Sequence, residues 1–265
     1  MVIMNVEIGI IGGTGVYSED MLEDVEVKKV STPYGEPSSE IKIGTFKGRR
    51  VAFIFRHGDS HSIPPHKVNS QANIHALAEL GVKMIIGITA VGSLKEEMKP
   101  GHVVIPDQFI DMTKLRNTTF YDGPKVAHIS MADPFCKNMH KLACDVAQEL
   151  GIDHHKKGTY VCVEGPRFST RAESNVWRTM KADIIGMTLV PELTLAREKE
   201  ICYISISSVT DYDCWRTDEA VSATNVIETM KKNTVNVKRI LEELIIKLPT
   251  ERNCECASAL EHAFI

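Results

Sequence analysis

The 265-residue sequence has no run of the roughly 18 apolar residues that a membrane-spanning helix needs, which argues against an integral membrane protein. It has no long run of lysine or arginine either. Its 31 basic and 35 acidic side chains give a net charge of −4, which argues against a dedicated nucleic-acid binder but not against a small anionic substrate. The apolar first residues lead into glycines without a basic leader or a cleavage site, so we expect a cytoplasmic protein.

The seven cysteines lack the spacings of zinc sites, since no Cys-x-x-Cys or paired Cys/His pattern occurs. We therefore expect no metal and interpret most of the cysteines as small buried hydrophobic residues. Cys254 and Cys256 are the exception, because they lie in a polar tail that gives no reason to bury them.

Short apolar runs alternate with longer amphipathic ones, a pattern typical of a sheet covered by helices. No linker or repeat interrupts it, so we predict a single α/β domain over residues 1–265, with a cysteine-containing tail at about 250–265. Strands are predicted at Ile8–Ile11, Ile41–Phe46, Val51–Phe55, Met84–Thr89, His102–Ile105, Thr159–Val163, Ile184–Met187 and Ile201–Val209. Helices are predicted to begin near Ser70, Pro134, Thr170, Pro191 and Ser222, the last of them running to about Leu248.

Glycines follow the first predicted strand, in the segment Gly9-Ile10-Ile11-Gly12-Gly13-Thr14-Gly15. Glycines let backbone amides approach an anion, and Thr14 adds a hydroxyl donor. A tight turn explains the pattern equally well. A dinucleotide site is disfavoured because a short acidic segment follows, and no strand ending in an acidic residue appears about 20 residues on.

Two further strand ends carry groups that bind anions. Arg56 and His57 follow one strand; Arg56 can bind phosphate oxygens bidentately and His57 can donate one more hydrogen bond. Thr89 and Ala90 end the next strand. A surface arginine beside a structural histidine is the alternative. Because α/β folds bind ligands where strand ends converge, the three ends together predict a phosphate pocket without a P-loop lysine.

Two carboxylates, Asp211 and Asp213, follow the last predicted strand. In an extended backbone they point to the same side, which suits recognition of donor groups or protonation of a ring nitrogen. Exposed aspartates in a turn are the alternative. Phe168 precedes a predicted capping box of Thr170 and Glu173 and is interpreted as either a base-stacking or a core residue.

These segments, taken in order, resemble the nucleoside phosphorylase family over most of the chain. The segments that carry the resemblance are Gly12-Gly13-Thr14-Gly15, Arg56-His57-Gly58, Val68-Asn69-Ser70-Gln71-Ala72-Asn73, Thr89-Ala90-Val91-Gly92-Ser93-Leu94, Pro106-Asp107-Gln108-Phe109-Ile110-Asp111, Phe120-Tyr121-Asp122-Gly123, His128-Ile129-Ser130-Met131-Ala132, Glu164-Gly165-Pro166-Arg167-Phe168-Ser169-Thr170-Arg171-Ala172-Glu173, Gly186-Met187-Thr188 with Val190-Pro191-Glu192, and Thr210-Asp211-Tyr212-Asp213-Cys214-Trp215.

The resemblance implies phosphorolysis of 5′-methylthioadenosine to adenine and 5-methylthioribose 1-phosphate, with phosphate as co-substrate and no metal or organic cofactor. It implies one α/β domain with a large mixed, partly barrel-like sheet, assembled as homotrimers or homohexamers. The residues implied to hold phosphate are Thr14, Arg56, His57, Thr89, Ala90 and Thr188. The residues implied to contact the nucleoside are Phe168 and Ser169 at the base, Asp211 and Asp213 at the purine N7 and 6-amino edge, Met187 at the ribose, and Val226 with His128 of a neighbouring subunit at the 5′ end.

Several alternatives stay open at this point. An ionised Asp211 accepts hydrogen bonds from a 6-amino group, which favours adenine, but a protonated Asp211 would also serve a broader purine nucleoside phosphorylase acting on inosine or guanosine. A catalytically silent nucleotide-binding protein or dinucleotide oxidoreductase built on Gly9–Gly15 is the more distant rival. His128 is alternatively a core histidine.

The likeness of the tail to some family members implies disulfides between Cys254 and Cys256 and between Cys136 and Cys202, with fully reduced thiols as the alternative. The sequence departs from the family at Ser70, where relatives often have tyrosine. It departs also at Asp59, which would weaken phosphate binding if its carboxylate faced the pocket.

Overall fold

The computed structural model describes residues 6–13, 15, 21–217 and 222–265. Within them eleven strands form one mixed sheet: β1 Ile8–Gly12, β2 Glu23–Lys28, β3 Ile41–Phe46, β4 Arg49–Phe55, β5 Met84–Ser93, β6 Val103–Val104, β7 Gln108–Met112, β8 His154–His155, β9 Thr159–Val163, β10 Ile184–Gly186 and β11 Cys202–Asp211. Five helices flank it: α1 Ser70–Glu79, α2 Lys137–Glu149, α3 Arg171–Thr179, α4 Leu189–Glu198 and α5 Ala223–Lys247. The predicted α/β class and mixed sheet are confirmed. No helix in these described ranges is both long and apolar enough to cross a membrane.

The sheet branches at β5. Its main path runs β2-β3-β4-β1-β5-β10-β9-β7, while β11 pairs with β5 and with β6, which pairs in turn with β8. β5 is parallel to β1 and β11 and antiparallel to β10, and β4 is parallel to β1. The carboxyl ends of β4, β1, β5 and β11 therefore meet at one edge of the sheet.

Alternating side chains of the central strands divide the core into two layers. Ile8 and Ile10 of β1 pack in the layer that contains α2 and α5, whereas Ile11 packs in the layer that contains α1 and α4. This alternation follows from the two-residue period of a strand. Because both faces are covered, the central strands are apolar almost throughout.

The helix ends follow the signals in the sequence. The predicted capping box begins α3, where the Thr170 hydroxyl accepts from the Glu173 amide and the Glu173 carboxylate accepts from the Thr170 amide. The Ser222 side chain caps α5, which ends with Leu248 as its C-cap, one residue before Pro249.

Three strands were missed by the sequence analysis: β2, β7 and β8. β2 and β7 are the two ends of the main path and contain no fully buried residue, so they lack the apolar run of a central strand. Two helices begin at other residues than predicted. α2 begins at Lys137 rather than near Pro134, and α4 begins at Leu189, just before the extended residue Val190.

Candidate active site

A cavity of about 600 Å³ opens at the edge where the parallel strands end. Almost every site residue expected from the sequence lines it: Arg56, His57, Thr89, Ala90, Thr188, Phe168, Ser169, Met187, Asp211, Asp213 and Val226. Gly13 lines it also, whereas Thr14 lies outside the described residues. The predicted convergence of these segments is confirmed, although Thr89 and Ala90 lie within β5, which continues to Ser93, rather than at its end.

The Arg56 side chain is buried beneath this cavity, with 2% of its surface exposed. Its Nε and Nη2 atoms donate to the two carboxylate oxygens of Glu192, both at 2.8 Å. Burial opposes its charge, but the Glu192 carboxylate more than compensates and raises the pKa of Arg56. The bidentate face of the guanidinium is therefore occupied by Glu192, and the expected bidentate grip on phosphate is unavailable.

The ring of His57 is neutral in this environment. Burial and the Arg56 charge lower its pKa from 6.5 to about 4. Its Nδ1 lies 2.8 Å from the carbonyl oxygen of Ile63, which can only accept, so Nδ1 carries the proton. Nε2 is left as an acceptor. This reverses the donor role expected from the sequence and suits contact with a protonated oxygen of monohydrogen phosphate.

Hydroxyl groups in the middle of β5 and β11 form a buried cluster. The Thr89 hydroxyl donates to Ser207 Oγ at 3.0 Å, and Ser205 Oγ lies 3.0 Å from Ser207 Oγ. All three side chains are buried. The cluster fixes the Thr89 hydroxyl where β5 meets the cavity.

The two expected carboxylates both line the cavity, although the backbone between them is not extended. β11 ends at Asp211, and Asp213 opens a 3₁₀ turn with a φ of +50°. Asp211 accepts from the Thr210 hydroxyl at 2.7 Å and from the Asp213 amide at 2.8 Å. Asp213 is only 4% exposed, and burial raises the pKa of its carboxyl.

The base side of the cavity is built by the loop that contains Phe168 and Ser169. Phe168 is 41% exposed, which contradicts its alternative interpretation as a core residue. The Cys214 thiol donates to the Ser169 carbonyl at 3.1 Å and ties this loop to the turn after β11. Gly165 has a φ of +68°, and a Cβ there would lie 2.5 Å from the Met187 sulfur, so glycine is required for Met187 to reach the cavity.

Apolar side chains from α5 and from the segment after β4 close the remaining wall. Val226 and Met230 of α5 line it together with Ile63 and Pro64, and His61 lies beside His57 with ring centroids 4.6 Å apart. Sequence reasoning missed the segment 61–65. Its only signal was the pair Pro64-Pro65, which begins seven residues after His57.

His128 does not line the cavity of its own chain. It is exposed, and its amide donates to the Ala263 carbonyl at 2.7 Å, beside an antiparallel bridge between Ala127 and Phe264. The alternative of a core histidine is wrong. Its contribution to a neighbouring subunit stays a prediction. Asp59 is exposed and lies outside the cavity, so its carboxylate does not face the phosphate candidates.

Four cysteines meet at the far end of the domain: Cys136, Cys202, Cys254 and Cys256, whose sulfur atoms all lie within 4.8 Å of one another. The expectation that the last two are exposed is wrong, because the tail folds back onto the core at the start of β11, and Cys256 is buried. Four thiolates at this spacing would suit a soft metal such as zinc, and the same spacing places two disulfides within reach.

Comparison with known proteins identifies the family. A family model described as the phosphorylase superfamily matches residues 7–246, and the chain belongs to that superfamily. It is 59% identical over 260 residues to the S-methyl-5′-thioadenosine phosphorylase of Thermofilum pendens, covering 98% of this chain and 99% of the relative. It is 56% identical to that of Nitrosopumilus maritimus, covering 98% of each chain.

Solved structures of methylthioadenosine phosphorylases have the same fold as this chain. A methylthioadenosine phosphorylase from an antarctic soil metagenomic library superposes with a TM-score of 0.94 at 44% identity, covering 99% of this chain and 93% of the other. A mutant adenosine/methylthioadenosine phosphorylase of Schistosoma mansoni, solved in complex with methylthioadenosine, superposes with a TM-score of 0.88 at 38% identity over 93% of each chain.

Proposed function

We propose that this protein catalyses phosphorolysis of 5′-methylthioadenosine to adenine and 5-methylthioribose 1-phosphate. The observation that carries the proposal is one cavity with anion-binding groups at the sheet edge and a carboxylate pair at the opposite end, in a chain closely similar to methylthioadenosine phosphorylases. Inorganic phosphate serves as the co-substrate, and no other cofactor is proposed.

In this reaction a phosphate oxygen bonds to C1′ of the ribose while the C1′–N9 bond breaks. The electrons of that bond pass to adenine, and a proton is delivered to N7. The sugar becomes oxocarbenium-like in the transition state, so the phosphate acts as both nucleophile and counter-anion. Gly13, Thr14, Arg56, His57, Thr89, Ala90 and Thr188 are the residues proposed to hold it.

The opposite end is proposed to bind and protonate the base. Phe168 and Ser169 contact adenine, while Asp211 and Asp213 face N7 and the 6-amino group. Met187 lies at the ribose. The apolar wall that contains Val226 suits the methylthio group, because it offers no charge to a thioether. We propose that His128 of a neighbouring subunit completes the 5′ end in a trimer or hexamer.

A substrate assay tests the proposal. The protein is incubated with methylthioadenosine, adenosine and inosine, each with and without phosphate, and release of free base is measured. We expect phosphate-dependent release of adenine from methylthioadenosine and little hypoxanthine from inosine. Comparable use of inosine would favour the broader purine nucleoside phosphorylase, which the named relatives disfavour. Absence of any phosphate-dependent cleavage would overturn the proposal.

A further inference from the structure

Glu192 has no role in the chemistry proposed above, yet both oxygens of its fully buried carboxylate have partners. Oε2 accepts from Arg56 Nε, while Oε1 accepts from Arg56 Nη2 and, at 2.6 Å, from the hydroxyl of Tyr203. An unpaired buried carboxylate would be strongly destabilising. The complete set of partners indicates that this site is built around the pair of Arg56 and Glu192.

The remaining contacts of Arg56 reach two strands. Its Nη1 donates to the Ile88 carbonyl at 2.7 Å, and its Nη2 donates to the Ile11 carbonyl at 3.1 Å. Ile88 directly precedes Thr89, and Ile11 lies two residues before Gly13. Arg56 thus joins the end of β1 to the middle of β5, and candidate phosphate donors lie beside both.

Glu192 connects the same guanidinium to a third such segment, because it lies four residues after Thr188 at the start of α4. Contacts within the described residues use four of the five N–H bonds of Arg56, which leaves one at Nη1 for a ligand. The direction of that N–H is set by the other four bonds.

We propose that Glu192 is a positioning residue for phosphate. It fixes the Arg56 guanidinium and, through it, holds the end of β1, the middle of β5 and the start of α4 in the arrangement that binds the anion. The inference rests on the phosphorolysis proposed above, since it assigns Glu192 to the same phosphate site.

A glycine beneath the pair supports this role. A Cβ at Gly87 would lie 2.0 Å from the Tyr203 hydroxyl, so β5 leaves room for the group that reaches Glu192. The Tyr203 hydroxyl makes one of the three bonds to this carboxylate. Its removal in Tyr203→Phe is therefore a mild version of the change that Glu192→Gln makes.

The test compares KM for phosphate with KM for methylthioadenosine in Glu192→Gln. The new amide group would face the N–H of either Arg56 Nε or Nη2, so one charge-assisted bond is lost and the guanidinium shifts. We expect KM for phosphate to rise about 10- to 100-fold and KM for methylthioadenosine to change less than threefold. Tyr203→Phe should raise KM for phosphate about two- to threefold.

Glu198→Gln is the matched control. Glu198 is also a buried carboxylate on α4, but it accepts from the Thr119 hydroxyl and the Phe120 amide, outside the cavity. Its loss should lower thermal stability and leave KM for phosphate unchanged. If Glu192→Gln fails to fold, Glu192→Asp and Tyr203→Phe are measured in the same way, and wild-type KM for phosphate in both would overturn the inference.

Arg56→Met and the double variant Arg56→Met/Glu192→Gln distinguish the positioning role of Glu192 from the phosphate-binding role of Arg56. If Glu192 acts through Arg56, Glu192→Gln adds no further rise in KM for phosphate when Arg56 is already methionine. A wild-type KM for phosphate in Glu192→Gln, together with a raised one in Arg56→Met, would overturn the positioning role alone. A wild-type KM for phosphate in Arg56→Met would overturn the phosphate site itself.

Discussion

The two ends of the cavity are built in different ways. The phosphate end lies on the buried ends of β1 and β4 and on the middle of β5, where Arg56 is bound to backbone carbonyls and to Glu192. The base end lies on a loop and a 3₁₀ turn, and Phe168 is largely exposed. The difference suggests that the position of phosphate is set by the core, whereas the base site is set by surface segments that can vary without disturbing the sheet.

Burial shifts the pKa of a titratable group in opposite directions at the two ends. Burial favours neutral forms, so it lowers the pKa of His57 and raises that of Asp213. The charge of Arg56 is matched by Glu192. The groups at the phosphate end therefore provide little net positive charge, and a bound phosphate keeps its own charge available to stabilise the cationic sugar.

The largest expected effect is at the base end. Asp211→Asn removes a transferable proton and offers an amide donor that a 6-oxo group accepts. We expect kcat/KM for methylthioadenosine to fall about 10²- to 10⁴-fold and that for inosine or guanosine to fall much less. The same measurement on Asp213→Asn shows which carboxyl supplies the proton. Equal losses on all three nucleosides for Asp211→Asn would make Asp211 a structural residue.

Arg56→Ala addresses the phosphate end and should have two effects. KM for phosphate should rise about 10- to 10³-fold because an anion contact is lost. The free energy of unfolding should fall by about 3–5 kcal/mol, since Glu192 is left buried without its partner. Phosphate kinetics and urea denaturation measure the two effects. Unchanged stability would contradict the ion pair.

A smaller effect is expected from assembly. If His128 completes a neighbouring site, His128→Ala should raise KM for methylthioadenosine about two- to tenfold without changing the fold, and isolated monomers should be nearly inactive. Light scattering at assay concentration, combined with kinetics, tests both points. A fully active monomer would refute the shared site.

The cysteine cluster lies away from both ends and should affect stability rather than catalysis. We predict disulfides between Cys254 and Cys256 and between Cys136 and Cys202, so unreduced protein should titrate three free thiols of its seven. Reduction should cost about 2–4 kcal/mol of stability. Seven free thiols would end the prediction, and a stoichiometric metal in the purified protein would assign the cluster to metal binding instead.

The smallest expected effect is a dependence of stability on pH. The pKa of Asp213 is raised above 3.8 in the folded state, so the folded protein binds its proton more tightly than the unfolded chain. Stability from this group is present below pH 3.8 and is lost as pH rises through the folded pKa. The unfolding free energy of Asp213→Asn relative to wild type should therefore increase with pH over that window, as measured by urea denaturation. A constant difference would show that the Asp213 pKa is not raised.

Site residues could be predicted from the sequence where an apolar strand and the parallel arrangement of the sheet together fix their position. The glycine segment after the first strand, Arg56 and Thr89 were placed together because each was predicted at the end of an apolar strand and parallel strands end at one edge. The partner of Arg56 was not predictable, since Glu192 lies 136 residues away and a glutamate on an amphipathic helix usually faces solvent. Val226 fits the helical period of α5 as well as any core residue does, so the helical pattern did not single it out; the family resemblance did, and the structure has it in the cavity wall.

The branch of the sheet at β5 affects how readily this strand unfolds locally. Residues 84–87 of β5 are paired with β1 on one side and with β11 on the other, and the pairing with β11 joins Met84 to Cys202, 118 residues away in the chain. Pairing between such distant segments is slow to form, and it opens only when the surrounding sheet opens as well. The amides of residues 84–87 should therefore be among the last in the molecule to exchange their hydrogens with solvent.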